Sequence, residues 1–135
     1  MPIIVHTSDL HLGATLGWLG PRASEQREQL RRTFSKIVNI VIDQQADALV
    51  IPSLWHENAP VVMQEACAAR IPMLTSKLGA LDEWVEDGVN GLLVPPGDVR
   101  QWRATLRRLV DEPGLLAHLE ANALPPVPLQ VHFDR

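Results

Sequence analysis

One cysteine, Cys67, occurs in the 135 residues. An internal disulfide is thereby excluded, and the chain suits a reducing compartment. Basic residues are not in excess either: 12 Lys and Arg stand against 16 Asp and Glu, a net charge of -4. A nucleic-acid or membrane-surface binder would show a basic face, so neither partner is expected. No apolar run approaches the ~20 residues of a membrane-spanning helix, and the opening MPIIVHTSDLHLG lacks the basic start of a signal peptide. A soluble, cytoplasmic protein is the expectation. Internal repeats and low-complexity tracts are missing as well. What is present, 46% apolar and 21% charged residues, is ordinary for a globular chain and argues against disorder. The length suffices for one hydrophobic core and not for two.

Four short apolar runs punctuate the chain: Ile3-Ile4-Val5-His6, Ala48-Leu49-Val50-Ile51, Pro72-Met73-Leu74-Thr75 and Gly91-Leu92-Leu93-Val94. Each suits a strand buried on both faces. Helical periods separate them. Leu30, Phe34, Ile37, Val38, Val41 and Ile42 recur at three- and four-residue steps, predicting a helix from Ser24 to about Gln44. Pro60 opens a second helix that continues to Ala69, and Ala80 to Glu86 is a short third, closed by the Asp87-Gly88 turn signal. Asp98 caps a helix running to about Asp111, and Pro113 to Asn122 forms the last. Thr7 to Ala23 is a glycine-bearing loop, and the proline-rich end ALPPVPLQVHFDR is extended. Strands alternating with helices give an α/β fold: a four-stranded parallel sheet with crossover helices, Rossmann-like.

The string HTSDLHLG places Asp9 and His11 two residues apart, just past the first strand. That edge of an α/β sheet is where ligands bind, and an oxygen and a nitrogen aimed the same way can share a transition metal. From Ile3 through HTSDLHLG to ADALVI the sequence resembles the calcineurin-like metallophosphoesterases, most closely their DNA-repair exonuclease branch. The resemblance implies a two-metal site completed by Gly-Asp, Asn-His and Gly-His motifs. Here Pro52-Ser53 stands in place of the Gly-Asp, and no Asn-His or Gly-His follows. Asp9 and His11 therefore form an incomplete metal site, fit at most for a weakly held divalent ion such as manganese. Neither phosphodiesterase activity nor a tightly held metal pair is expected.

From Pro52 the chain reads PSLWHENAPVVMQEACAARIPMLTSKLGALDEWVEDGVNGLLVPPGD. This stretch resembles the C-terminal domain of retaining glycosyltransferases of the two-domain GT-B architecture, family-four type, over about seventy residues from Ala48 to roughly Leu119. Glu57 and Glu65, the Gly79-Ala80 loop and the DGVNGLLVPPGD run carry it. The resemblance implies a donor nucleotide-sugar site formed by Glu57, Asn58, Ala59 and Glu65, with Glu65 on ribose hydroxyls and Glu57 nearer the sugar. The chemistry agrees, since a loop leading into a helix start offers N–H groups and a positive dipole end to a diphosphate. Arg70 stands where the family usually has a small residue or glycine. The cations that neutralise the diphosphate come from earlier in the family's domain, a region absent here. Lys77 is the nearest cation, read as solvated. Arg100, Arg103, Arg107 and Arg108 form a solvated stripe, Trp55, Trp84 and Trp102 are packing residues, and Cys67 is a small core residue.

Both resemblances meet at the strand ALVI. The expected organisation is one α/β domain, 1–135, built from a phosphoesterase-like β-α-β segment (1–51) and a glycosyltransferase-like segment (52–122), with 123–135 an extended tail. On this reading the chain is a catalytically silent, recombined or engineered domain made of two enzyme fragments, with no catalytic residue. The alternative is the nucleotide-diphosphate-sugar binding portion of a group 1 glycosyltransferase, and a second alternative is a residual metal-dependent phosphoesterase. If the chain is an enzyme, glycosyl transfer is favoured over phosphoester cleavage. The strands are expected in sequential order, 3–6 beside 48–51, followed by 72–75 and 91–94, which would place every crossover helix on one sheet face. Either the helices from Asp98 to Asn122 cover the other, or two chains pack there as a homodimer, and the dimer is favoured.

Overall fold

The structure, a computed structural model, describes residues 1–7, 16–54 and 60–123. Its elements in chain order are β1 (Ile4–His6), a short 3-10 helix (Gly17–Arg22), α1 (Ala23–Asp43), β2 (Ala48–Ile51), α2 (Pro60–Ala68), β3 (Met73–Ser76), α3 (Gly79–Trp84), β4 (Gly91–Val94), α4 (Val99–Asp111) and α5 (Leu115–Asn122). The strands form one parallel sheet in sequential order, β1-β2-β3-β4. His6 lies opposite Val50, Val50 opposite Leu74 and Leu74 opposite Leu92, so one row of side chains runs across all four strands. The predicted fold class and strand order stand. Strand β3 is shifted by one residue from the predicted run. Pro72 has no N–H for the ladder, and its carbonyl accepts from Leu49 N–H (3.0 Å) just outside the strand. Beyond the ladder, the Asp47 carboxylate accepts Ile3 N–H at 2.7 Å and clamps the three-residue β1 in place.

Side chains alternate across the sheet and produce two cores, one on each face, where the length alone suggested a single one. Leu49, Ile51 and Met73 face α1, α2 and α3, where Phe34, Val38, Val41, Met63, Cys67 and Leu81 close over them. Ala48, Val50, Leu74 and Leu92 face the other way and meet Leu109 of α4 and Leu119 of α5, with Trp102 and Leu106 packed at the side. The sequential order therefore does put the three crossover helices on one face, as expected. The open second face on which the homodimer rested is covered by α4 and α5. With that face occupied, the physical motive for the dimer is gone. His118 of α5 ties this layer to the sheet through its Nε2, 3.0 Å from the Gly88 carbonyl oxygen.

Local chemistry explains the element ends. The Asp98 side chain accepts from Gln101 N–H at 3.0 Å, the helix cap that the sequence predicts. Gly114, with φ 83°, sets the turn into α5, which begins two residues after Pro113. In the DGVNG turn Gly88 adopts φ 78°. The buried Asn90 accepts Glu86 N–H at 2.7 Å and donates to the Trp84 carbonyl at 3.0 Å. These bonds end α3 earlier than its expected limit at Glu86. Ile42, assigned to the apolar stripe of α1, is half exposed, beside a cleft of about 280 Å³ at the amino edge of the sheet. Burial pushes the Cys67 thiol up from its usual range, in keeping with a core role.

Helix α2 ends in a Schellman turn: Ile71 N–H donates to Ala66 O (3.1 Å) and Arg70 N–H to Cys67 O (3.0 Å). The turn holds Arg70 at φ 55°, in the left-handed region. A glycine would meet no Cβ crowding there. Arg70→Gly is expected to raise stability by about 0.5–1 kcal/mol. Urea unfolding of the two proteins checks it, and an unchanged midpoint would show that the turn carries no strain.

Candidate functional site

Helices α1, α2 and α3 each follow a strand and return antiparallel to it, so their N-termini gather at the carboxyl edge of the sheet. That edge is built by His6, Ile51, Ser76 and Val94 at the strand ends. Thr7 N–H extends it by donating to Val50 O (3.0 Å), and Lys77 N–H by donating to Val94 O (2.8 Å). At 1.5 Å per residue α1 is about 30 Å long, against about 13 Å for a four-residue strand. Its amino-terminal turns therefore stand clear of the sheet on the carboxyl side, with Ser24 to Gln29 exposed.

The sequence-predicted residues divide between what the structure describes and what it does not. Asp9 and His11, proposed for a metal, lie outside the described residues, as do Glu57, Asn58, Ala59 and Trp55. Among the described residues no group of three His, Cys, Asp or Glu side chains could hold a metal ion. Glu65 is described and half-buried, one and a half turns into α2. Its Oε2 accepts the Ser35 hydroxyl at 2.6 Å, across the interface of α1 and α2. Lys77 is exposed, and so are Arg100, Arg103, Arg107 and Arg108, in line with the solvated reading. Arg108 pairs with Glu112 at 2.8 Å, a bond that raises the guanidinium and lowers the carboxyl from their ordinary values. Trp84 and Trp102 are half-buried against the two cores, as expected.

Three residues at the carboxyl edge escaped the sequence reading. Ser53, Thr75 and Ser76 are fully buried. The Thr75 and Ser76 hydroxyls have no hydrogen-bond partner among the described residues. They sit at the end of β3 in a run read as strand, where a hydroxyl passes for an apolar side chain. Ser35 also went unnoticed, although it lies three residues before Val38, on the flank of the apolar stripe. An unpaired buried hydroxyl costs about 1–3 kcal/mol. Thr75→Val keeps the shape and removes the orphan, so stability should stay level or rise by up to about 2 kcal/mol. A fall of more than about 1 kcal/mol in thermal unfolding would mean the hydroxyl is bonded after all.

The cleft lined by Val41, Gln45, Asp47, Arg70 and Glu120 is at the opposite, amino edge. Ligands of open α/β sheets bind at the carboxyl edge, so this cleft is not the candidate. No described helix is long and apolar enough to cross a membrane.

Comparison with known proteins identifies the family. Residues 27–124 match the family described as glycosyl transferases group 1. The match takes in α1 and β2, so that much of the segment expected to be phosphoesterase-like falls inside the glycosyltransferase match. The D-inositol 3-phosphate glycosyltransferase of Thermobispora bispora is 40% identical over 79 residues, covering 58% of this chain and 18% of the relative. That of Rhodococcus jostii is 31% identical over 121 residues, covering 90% of this chain and 24% of the relative. This chain thus spans about a quarter or less of the curated relatives it matches. Among solved structures, Anabaena HepE, crystallised in complex with UDP and glucose, superposes with a TM-score of 0.64 at 19% identity. That superposition covers 98% of this chain and 46% of HepE, a likeness of fold. With the family match spanning both cores and the carboxyl edge between them, the chain belongs to the group 1 glycosyltransferases.

Proposed function

We propose that this chain is the nucleotide-diphosphate-sugar binding portion of a group 1 glycosyltransferase, holding the donor at the carboxyl edge beside the start of α2. The observation that carries the reading is Glu65: a half-buried carboxylate on α2, fixed on one oxygen by Ser35, within a segment that matches the family. On this reading its other oxygen receives the ribose hydroxyls. The first N–H groups of α2 lie unpaired within the helix and carry the positive end of its dipole, which suits a diphosphate. By resemblance, Glu57 would lie nearer the sugar, with Asn58 and Ala59 in the same donor site. HepE, of the same fold, was captured with UDP and glucose, which is consistent with a nucleotide-sugar ligand.

The 135 residues are expected to bind the nucleotide without transferring the sugar, because GT-B chemistry closes two domains on donor and acceptor. Calorimetric titration with UDP, GDP and ADP tests the binding. A dissociation constant of about 0.1–1 mM is expected for the best of them, weakened about tenfold in Glu65→Gln. No binding of any of the three up to about 10 mM would sink the reading. Turnover of a nucleotide sugar into a glycoside by these residues, lost in Glu57→Ala, would overturn the expectation of silence.

A further inference from the structure

Serine and threonine inside a helix ordinarily return their hydroxyl proton to the carbonyl one turn back. Thr33 does so, donating to Gln29 O at 3.0 Å. Ser35, two residues later on the same helix, does not. Its hydroxyl crosses to α2 and donates to Glu65 Oε2 at 2.6 Å, the short distance of a hydroxyl on a carboxylate. The two residues are 30 apart in sequence, so the bond exists only once α1 and α2 are docked on the sheet.

Direction matters as much as distance. Side chains on a helix lean toward its N-terminus. Both α1 and α2 begin at the carboxyl edge, so Ser35 and Glu65 both lean toward that edge. Phe34 and Val38, buried beside Ser35, hold this stretch of α1 against the sheet. A free glutamate samples several rotamers, and a ligand that needs one of them must freeze the rest. Anchored at one oxygen, Glu65 is left with its second oxygen and the spare lone pairs of the first.

We infer that Ser35 is a positioning residue: its hydroxyl locks the Glu65 carboxylate in the orientation that receives the two vicinal hydroxyls of the donor's ribose. This rests on the nucleotide-binding reading above and adds a residue to it from outside the loop and helix that the family motif covers. Ser35 itself touches no ligand. Its removal should therefore cost affinity only for ligands that carry the ribose hydroxyls.

The experiment compares, for whichever of UDP, GDP and ADP binds tightest, the ribonucleotide with its 2′,3′-dideoxy counterpart. Wild type, Ser35→Ala, Ser35→Thr and Glu65→Gln are titrated with each. Wild type is expected to prefer the ribonucleotide by about tenfold or more, a preference that Glu65→Gln abolishes. Ser35→Ala should cut it to about threefold or less and leave dideoxynucleotide affinity unchanged, whereas Ser35→Thr, which keeps the hydroxyl, should retain it. A loosened fold would weaken both ligands alike, and that outcome overturns the inference. So does a wild-type preference in Ser35→Ala when Glu65→Gln has lost it. If wild type shows no ribose preference, or Glu65→Gln keeps it, the role of Glu65 fails and that of Ser35 with it.

Discussion

Phe34→Ala is expected to lower the stability of the chain by about 3–5 kcal/mol. Phe34 is fully buried at the centre of the core between α1 and the sheet, with Val38 and Val41 completing the strip that docks the helix. Truncation removes the transfer free energy of the ring and leaves a cavity, because Leu49 and Ile51 across the interface are held by the sheet ladder and cannot collapse into it. A domain of this size has about 5–15 kcal/mol in total, so the variant would be marginal. The loss should fall unevenly. The amino-terminal turns of α1 are mostly exposed and have little else to hold them, so amide exchange there should accelerate first. The Ser35–Glu65 bond depends on the same docking and would go with it. Urea unfolding measures the total, and a loss below about 1 kcal/mol would show that α1 is not held by this core.

Gly91→Ala should be as damaging by the opposite mechanism, overfilling. A Cβ placed on Gly91 would stand 2.2 Å from the Met73 carbonyl oxygen and 2.8 Å from Val85 Cγ1. The first of these is backbone in the neighbouring strand, paired in register with Gly91, and it cannot rotate away. Relief requires β3 and β4 to separate where their ladder begins, so a cost of about 3 kcal/mol or more is expected. Gly88 provides the control. Its added Cβ meets nothing within 4 Å, and only its φ of 78° opposes a side chain. Gly88→Ala should therefore cost only about 1–2 kcal/mol. Equal losses for the two variants in thermal unfolding would refute the steric account.

Much of the fold was legible because parallel strands buried on both faces leave continuous apolar runs in the sequence. All four runs became strands, and the helical stripe of Phe34, Val38 and Val41 became the docked face of α1. Boundaries slipped where backbone chemistry outweighed hydrophobicity, as at Pro72. Of the candidate site, only Glu65 lies among the described residues, and it falls on the helix that Pro60 was expected to open. Thr75 and Ser76 were hidden because composition does not reveal which strand hydroxyls will find partners.

Residue order alone settled where the strands and α-helices lie, and kinship with the glycosyltransferases, since each rests on local periodicity or on motifs of contiguous residues; the 3-10 helix Gly17–Arg22 fell in a stretch read as loop. Packing settled the rest. Whether α4 and α5 would cross to the second sheet face depended on Leu109 and Leu119 meeting Val50, Leu74 and Leu92, contacts between residues far apart in the chain. The homodimer was favoured on the expectation that a recombined fragment had lost the elements that once covered this face, and no local signal reports the coverage that α4 and α5 provide. The Ser35 hydroxyl likewise has a backbone carbonyl within reach in any isolated helix. It finds Glu65 instead because the docking of α1 and α2 on one sheet brings a stronger acceptor alongside.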